Sequence, residues 1–226
     1  DIRSMQSAHN FLSPEQVEQV ETAIAEAELA TSAEIICAVS TESGQYDRAE
    51  SIVGLLTGVL ALVLVNQLVA WLDPWAIAPT VIQAFAVVGG FVLGSLAASY
   101  QHRLRRLVVS KRETSAETAR AASIVYRQQF ERLEPNQGGV LIYVSLAERE
   151  VVIAADATAF DVLNEEGVSQ LRDISVGHLK SGQRVQALLD AVKACGDMLK
   201  QALPAKDSNE NQLSNAMLII HPRPGY

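Results

Sequence analysis

Cysteine is nearly absent from this 226-residue chain: Cys37 and Cys195 are the only two, far apart, with no CxxC or Cys/His ligand spacing. Buried structural thiols are the plain reading, and a zinc cluster has no ligands to draw on. Aromatic residues are scarce, at 5%, and Lys and Arg (18) are outnumbered by Asp and Glu (26), for a net charge of −8. A phosphate backbone needs a basic face to displace its counterions, so the composition argues against nucleic-acid binding. No P-loop, GxSxG, HExxH or GxGxxG stands in the chain. His9, His102, His178 and His221 are dispersed, none beside a Ser or Cys with an acid at triad spacing. Residues 1–10 lack a basic region followed by an apolar one, so no signal peptide is read there.

Charge itself is missing from one window. Between Glu50 and Arg103 the only formally charged residue is Asp73. Ser51 to Leu72 and Trp75 to Tyr100 are each long enough to cross a hydrocarbon core of about 30 Å at about 1.5 Å per residue, with Asp73-Pro74 as the turn. A pair of buried core helices is the alternative. Trp71, Trp75 and Tyr100 stand where interfacial aromatics belong. Arg48 precedes the first span; Arg103, Arg105, Arg106, Lys111 and Arg112 follow the second, whereas the connecting turn has neither Lys nor Arg. Basic flanks stay cytoplasmic, which predicts two spans in a bacterial inner membrane with both soluble parts in the cytoplasm. The cluster Arg103, Arg105 and Arg106 also suits anionic lipid head groups. Gly54 and Gly58 on the first span, and Ala86, Gly90, Gly94 and Ala98 on the second, form small-residue stripes for helix packing, between the two spans or against another subunit. Asn66 and Gln67 are read as interhelical hydrogen-bonding groups.

On either side of this hairpin the pattern is that of a soluble α/β domain. Ser13-Pro14-Glu15-Gln16 has a capping-box form, with Val17, Val20, Ile24 and Ala27 following at helical spacing. Glu34 to Ser40 (EIICAVS) is a short buried strand. After the hairpin, Thr114 and Glu117 cap a helix carrying Ala119, Ala122, Tyr126, Phe130 and Leu133 on one face. Val140 to Ser145 and Glu150 to Ala155 form a β-hairpin, and helices run from about Asn164 to Lys180 and from Gln183 to Leu203. One helix and one strand cannot bury their own faces, so the first part must dock on the last. The predicted division is 11–47 and 114–204 as the split domain, 50–101 as the membrane hairpin, and 205–226 as a polar tail. Met217 to Ile220 in that tail either adds a strand to the domain's own sheet or clips onto a neighbour. The expected fold class is α/β, a small mixed sheet covered by helices and interrupted by a two-helix transmembrane hairpin.

The order of helix, EIICAVS strand, SGQYDRAE loop, helix, GGVLIYVSLAEREVVIAAD and two closing helices resembles the TPM domain family. That family is named for a thylakoid lumen protein, a photosystem II repair protein and an acetylcholine-receptor modulator. The likeness covers about residues 11–47 and 114–215 and is most specific from Gly138 to Asp156. It implies a compact α/β sandwich, usually tethered to a membrane beside other membrane complexes, and in some plant relatives acid phosphatase activity with divalent-metal binding. The Gly-rich turn that commonly follows the second hairpin strand in the family is here Asp156-Ala157-Thr158-Ala159-Phe160.

One acidic constellation remains, Asp156, Asp161, Glu165 and Glu166, where a strand leaves the sheet toward a helix. Hard oxygens there suit Ca²⁺ or Mg²⁺; Asp161 as helix cap and first-turn glutamates are the plainer account. The sequence thus predicts a non-catalytic membrane-anchored accessory or scaffold protein without a resident cofactor, whose partners are lipids and other membrane subunits or further copies of itself. A weak divalent-metal-dependent acid phosphatase is the alternative.

Overall fold

The computed structural model describes residues 7–44, 47–100, 110–131, 133, 137–205, 213–222 and 224. They divide into two compact units, residues 1–44 with 115–226, and residues 45–114.

In the first unit a 3-10 turn at Ala8–Asn10 leads to α1 (Pro14–Glu28) and β1 (Glu34–Ser40). After the second unit come α4 (Lys111–Phe130), β2 (Gly139–Ser145), β3 (Glu150–Ala155), α5 (Ala157–Lys180), α6 (Arg184–Leu199) and β4 (Leu218–Ile220). The fold is α/β, with a mixed four-stranded sheet in the order β3-β2-β1-β4. β1 runs parallel to β2 on one side and to β4 on the other; β2 and β3 are antiparallel. Parallel neighbours need a crossover between them, and α4 supplies the one from β1 to β2.

Burial on both faces explains why the central strands read as unbroken apolar runs. Ile35, Cys37, Val39, Val140, Ile142, Val144, Val151 and Ile153 point to the face covered by α1, α5 and α6, where they meet Val20, Ile24, Leu163, Leu171, Leu188 and Val192. Ile36, Ala38, Leu141 and Tyr143 point the other way and pack on Ala121, Ala122, Val125 and Phe130 of α4. Both cysteines are free and wholly buried in the first of these clusters. Burial pushes the Cys195 thiol up to about 12 and the Cys37 thiol higher still, so neither is a thiolate at neutral pH.

The α1 capping box is present, with Gln16 N donating to Ser13 Oγ and Ser13 N to Gln16 Oε1. The apolar segment of the tail is β4, which completes the domain's own sheet. Four sequence expectations need correction. α4 begins at Lys111 rather than at Thr114, and Ser110 supplies the side chain that accepts from Glu113 N. Ala122, Tyr126, Phe130 and Leu133 face the core as expected, but Ala119 is exposed and the buried stripe runs through Thr118, Ala121, Ala122, Val125 and Phe130. α5 begins at Ala157 rather than Asn164, and its caps are Asp156 and, after a break, Asn164, not Asp161. α6 ends at Leu199, and residues 200–203 form turns before Pro204 bridges to Thr31.

The second unit contains α2 (Asp47–Leu72) and α3 (Thr80–Tyr100), antiparallel neighbours joined by a short turn. Both are long and apolar enough to cross a membrane, over 23 residues (Glu50–Leu72) and 20 residues (Thr80–Ser99), or about 35 and 30 Å of helix. Only 11% of either apolar window is buried.

Candidate functional site

In α/β sheets the carboxyl ends of parallel strands are where loops gather and sites form. Here Ser40 and Ser145 close β1 and β2 in register. The loop after β1 folds back over that edge, and the β2–β3 turn meets it: Leu146 N donates to Ser40 O and Ala147 N to Thr41 O, both at 3.0 Å. Arg149 completes the turn with φ at 58°, a left-handed conformation that lets the chain reverse at once into β3.

Four side chains form a directed hydrogen-bond chain beneath this loop. Ser145 Oγ donates to Glu148 Oε2 in a short contact, and Ser43 Oγ donates to Ser145 Oγ at 2.7 Å. A hydroxyl has one proton to give, so the remaining bond, 2.8 Å between Ser43 Oγ and Tyr143 OH, is donated by the tyrosine. The other carboxylate oxygen, Glu148 Oε1, accepts from Ser43 N at 3.1 Å and Gly44 N at 3.2 Å. Ser43, Tyr143 and Ser145 are all buried. The network holds a loop: its hydroxyl protons are committed to one another and to Glu148, with Ser43 and Ser145 buried. A nucleophilic serine would instead need an accessible hydroxyl beside a base that relays its proton. Sequence reasoning missed these residues, since strand-end serines followed by a glutamate carry no spacing signature. The one usable signal is that Ser40 and Ser145 both end apolar strands.

Asp156 lies at the opposite edge. β3 runs antiparallel to β2, so its exit is at the amino ends of the parallel strands, away from where sites gather. There Asp156 Oδ1 accepts from Ala159 N at 2.7 Å, capping α5, and Oδ2 accepts from Gly139 N at 3.1 Å. Burial, and after it the Asp156 charge, raise the Tyr126 phenol above its usual range. Asp161, Glu165 and Glu166 are exposed on α5. Between Asp161 and Glu165, Asn164 adopts φ 52° and ψ −175°, and its Oδ1 caps the resumed helix through Glu166 N and Gly167 N. Among the described residues no three His, Cys, Asp or Glu come together in a group able to hold a metal ion.

A buried acid was also missed. Glu28 follows Val20 and Ile24 on the inner stripe of α1, at the same i, i+4 spacing, and its Oε1 accepts from Ile35 N at 2.8 Å. Burial is the main cause that pushes its carboxyl up to about 8; the Glu34 charge adds to this, while the Ile35 and Asn215 hydrogen bonds oppose it.

In the second unit the glycine stripes face each other. A Cβ on Gly90 would lie 2.8 Å from Thr57 O and 3.0 Å from Gly58 Cα; one on Gly58 would lie 3.0 Å from Val87 O. A Cβ on Gly54 would meet Ser95 Oγ, and one on Gly94 would meet Thr57 Oγ1. Across this seam Thr57 Oγ1 sits 2.8 Å from Gly90 O. Ala98 is buried and Ala86 half-buried. Gln83 Nε2 donates to Asn66 Oδ1 at 3.3 Å, linking the two helices, whereas Gln67 is exposed. His102, Arg103, Arg105, Arg106, Asp207 and Glu210 lie outside the described residues.

The comparisons with known proteins agree with the sequence resemblance. The family model of the TPM domain matches residues 92–198, just under half of the chain. The NMR structure of BA42 protein from the psychrophilic bacterium Bizionia argentinensis superposes with a TM-score of 0.56 at 18% identity, over 92% of this chain and 94% of that one. At that identity the likeness speaks for the fold. No curated protein matches the sequence.

Proposed function

With a TPM domain matched over residues 92–198 as the premise, we propose that this chain is a membrane-anchored, non-catalytic accessory or scaffold protein. In this reading the hairpin lies in a bacterial inner membrane, and the α/β domain faces the cytoplasm and docks a larger membrane assembly or further copies of itself. The observation that carries it is the outer surface of the hairpin. Leu55, Leu56, Leu60, Leu64, Phe85 and Leu93 are more than half exposed. Soluble proteins rarely leave so large a contiguous apolar area in water, and lipid satisfies it without further structure.

The glycine seam is consumed in closing the hairpin on itself, so a partner within the bilayer would meet the lipid-facing surfaces instead. The orientation rests on the basic flanks and on a connecting turn without Lys or Arg. Arg103, Arg105 and Arg106 would meet anionic head groups on that side. The non-catalytic part rests on the closed Ser43–Ser145–Glu148 network and on Asp156 being occupied as a cap.

Three measurements test this. Alkaline carbonate should leave the protein in the membrane pellet. Protease added to spheroplasts should spare the α/β domain, and extraction in mild detergent should bring out stoichiometric partners or an oligomer. Release by carbonate, digestion from outside, or a partner-free monomer each refutes the corresponding clause. The phosphatase alternative, with Ca²⁺ or Mg²⁺ on the α5 acids, is tested with Glu165→Gln and Glu166→Gln. Both residues are exposed, so lost phosphate-ester hydrolysis would report chemistry; Asp156→Asn would confound chemistry with a lost cap.

A further inference from the structure

We propose that His9 and His221 form a two-imidazole site for a late first-row divalent ion such as Cu²⁺, Ni²⁺ or Zn²⁺, seated where the amino-terminal turn meets the end of β4. The two ring centroids are 5.6 Å apart, with the ring planes at 60°, and both residues are exposed. One residue organises both. Thr41 Oγ1 accepts from Ala8 N at 2.8 Å, fixing the turn that carries His9, and lies 2.9 Å from His221 Nδ1. Thr41 N and Glu42 N donate to the carbonyls that flank His221, Ile220 O and Pro222 O, both at 3.0 Å.

This pattern is what a metal-ligating histidine needs. A ligating imidazole ordinarily gives its other N–H to an oxygen acceptor, which fixes the tautomer and aims the free nitrogen. In the tautomer that directs Nδ1–H to Thr41, Nε2 of His221 is left to ligate. Two imidazoles bound to one ion at about 2.0–2.1 Å place their centroids about 5 Å apart at tetrahedral or square angles. The observed separation closes to that by well under 1 Å through rotation of exposed side chains. A purely nitrogen ligand set selects Cu²⁺, Ni²⁺ and Zn²⁺ over Mg²⁺ and Ca²⁺, which favour oxygen. Among the described residues no third His, Cys, Asp or Glu joins the pair. The bound ion would clip the amino-terminal turn to the edge strand.

The experiment uses the full chain in detergent micelles, expressed without a histidine tag and titrated with Cu²⁺. One ion per chain should bind, with electron paramagnetic resonance reporting two coordinating nitrogens. His9→Gln and His221→Gln should each weaken binding by roughly tenfold or more and leave one nitrogen. Thr41→Val should weaken it severalfold while both nitrogens remain, the signature of positioning rather than ligation. Circular dichroism checks that each variant folds. A single nitrogen in the unaltered chain, or equal affinity in the double histidine variant, overturns the site.

Discussion

Replacing Glu28 with glutamine should abolish most of the pH dependence of the domain's stability between pH 6 and 9. The carboxyl sits in the core, raised from 4.5 to about 8, first by burial and then by the Glu34 charge. A folded-state value raised above the unfolded one means that its stabilising contribution is full below about pH 4.5 and drains away as pH rises toward 8. Each pH unit separating the folded and unfolded values corresponds to about 1.4 kcal/mol, so the whole drain is about 5 kcal/mol, of which about 3 kcal/mol falls between pH 6 and 9. Glutamine keeps an oxygen to accept from Ile35 N but cannot ionise. The natural assay is thiol labelling, because Cys37 and Cys195 are both wholly buried. Their labelling rate, divided by the unfolded-state rate at each pH, gives the free energy of opening in the full chain. The unaltered protein should open progressively more easily toward pH 9, and Glu28→Gln should be nearly flat. Equal slopes in the two would show that the acid is not held neutral by its surroundings.

Gly94→Ile should splay the membrane hairpin, since any Cβ there meets Thr57; overpacking of this kind costs about 1–3 kcal/mol, read as earlier loss of helicity when sodium dodecyl sulfate is mixed into the micelles. Gly89→Ala, where a Cβ meets nothing within 4 Å, is the matched control and should be silent. Glu148→Ala removes the acceptor for Ser43 N, Gly44 N and Ser145 Oγ; it should cost about 2 kcal/mol by thiol labelling and speed proteolysis near Gly44, with Glu148→Gln milder. Replacing residues 45–109 with a Gly/Ser linker, which keeps α4 and its Ser110 cap, should leave a folded domain, shown by unchanged protection of both cysteines; exposed thiols would mean the hairpin is needed to hold the halves together.

The elements legible in the sequence were those whose pattern and environment agree. EIICAVS reads as buried because both of its faces are covered, and the Ser13 box reads as a start because its geometry is local. The hairpin reads from an absence of charge over some fifty positions. What failed was decided at a distance. Ala119 falls outside the buried stripe of α4 although Ala122, three residues on, lies in it, because a small residue at the border of an apolar face carries little signal for either side. Asn164 reads as a first residue because it does cap a helix, yet Asp156 has already begun one eight residues earlier. The edge on which Asp156 lies is not legible either, because sequence does not state strand direction. With β3 antiparallel, Asp156 lies at the amino edge of the parallel strands, where Gly139 N and Ala159 N donate to it.

That reversal bears on why the chain tolerates a long apolar hairpin in the middle of its domain. Between β1 and β2 the fold requires a crossover, and a crossover lengthened by an inserted pair of helices adds loop-closure entropy only logarithmically. The greater hazard is local: the strand end would fray if the inserted segment pulled on it. The Ser43–Ser145–Glu148 network answers this at the last described residues before the insertion, because Gly44 N and Ser43 N are held by a carboxylate that belongs to the neighbouring β2–β3 turn. Polar groups buried at the carboxyl edge of the sheet, where many α/β proteins keep a catalytic site, thus hold the loop that leads to the two apolar helices.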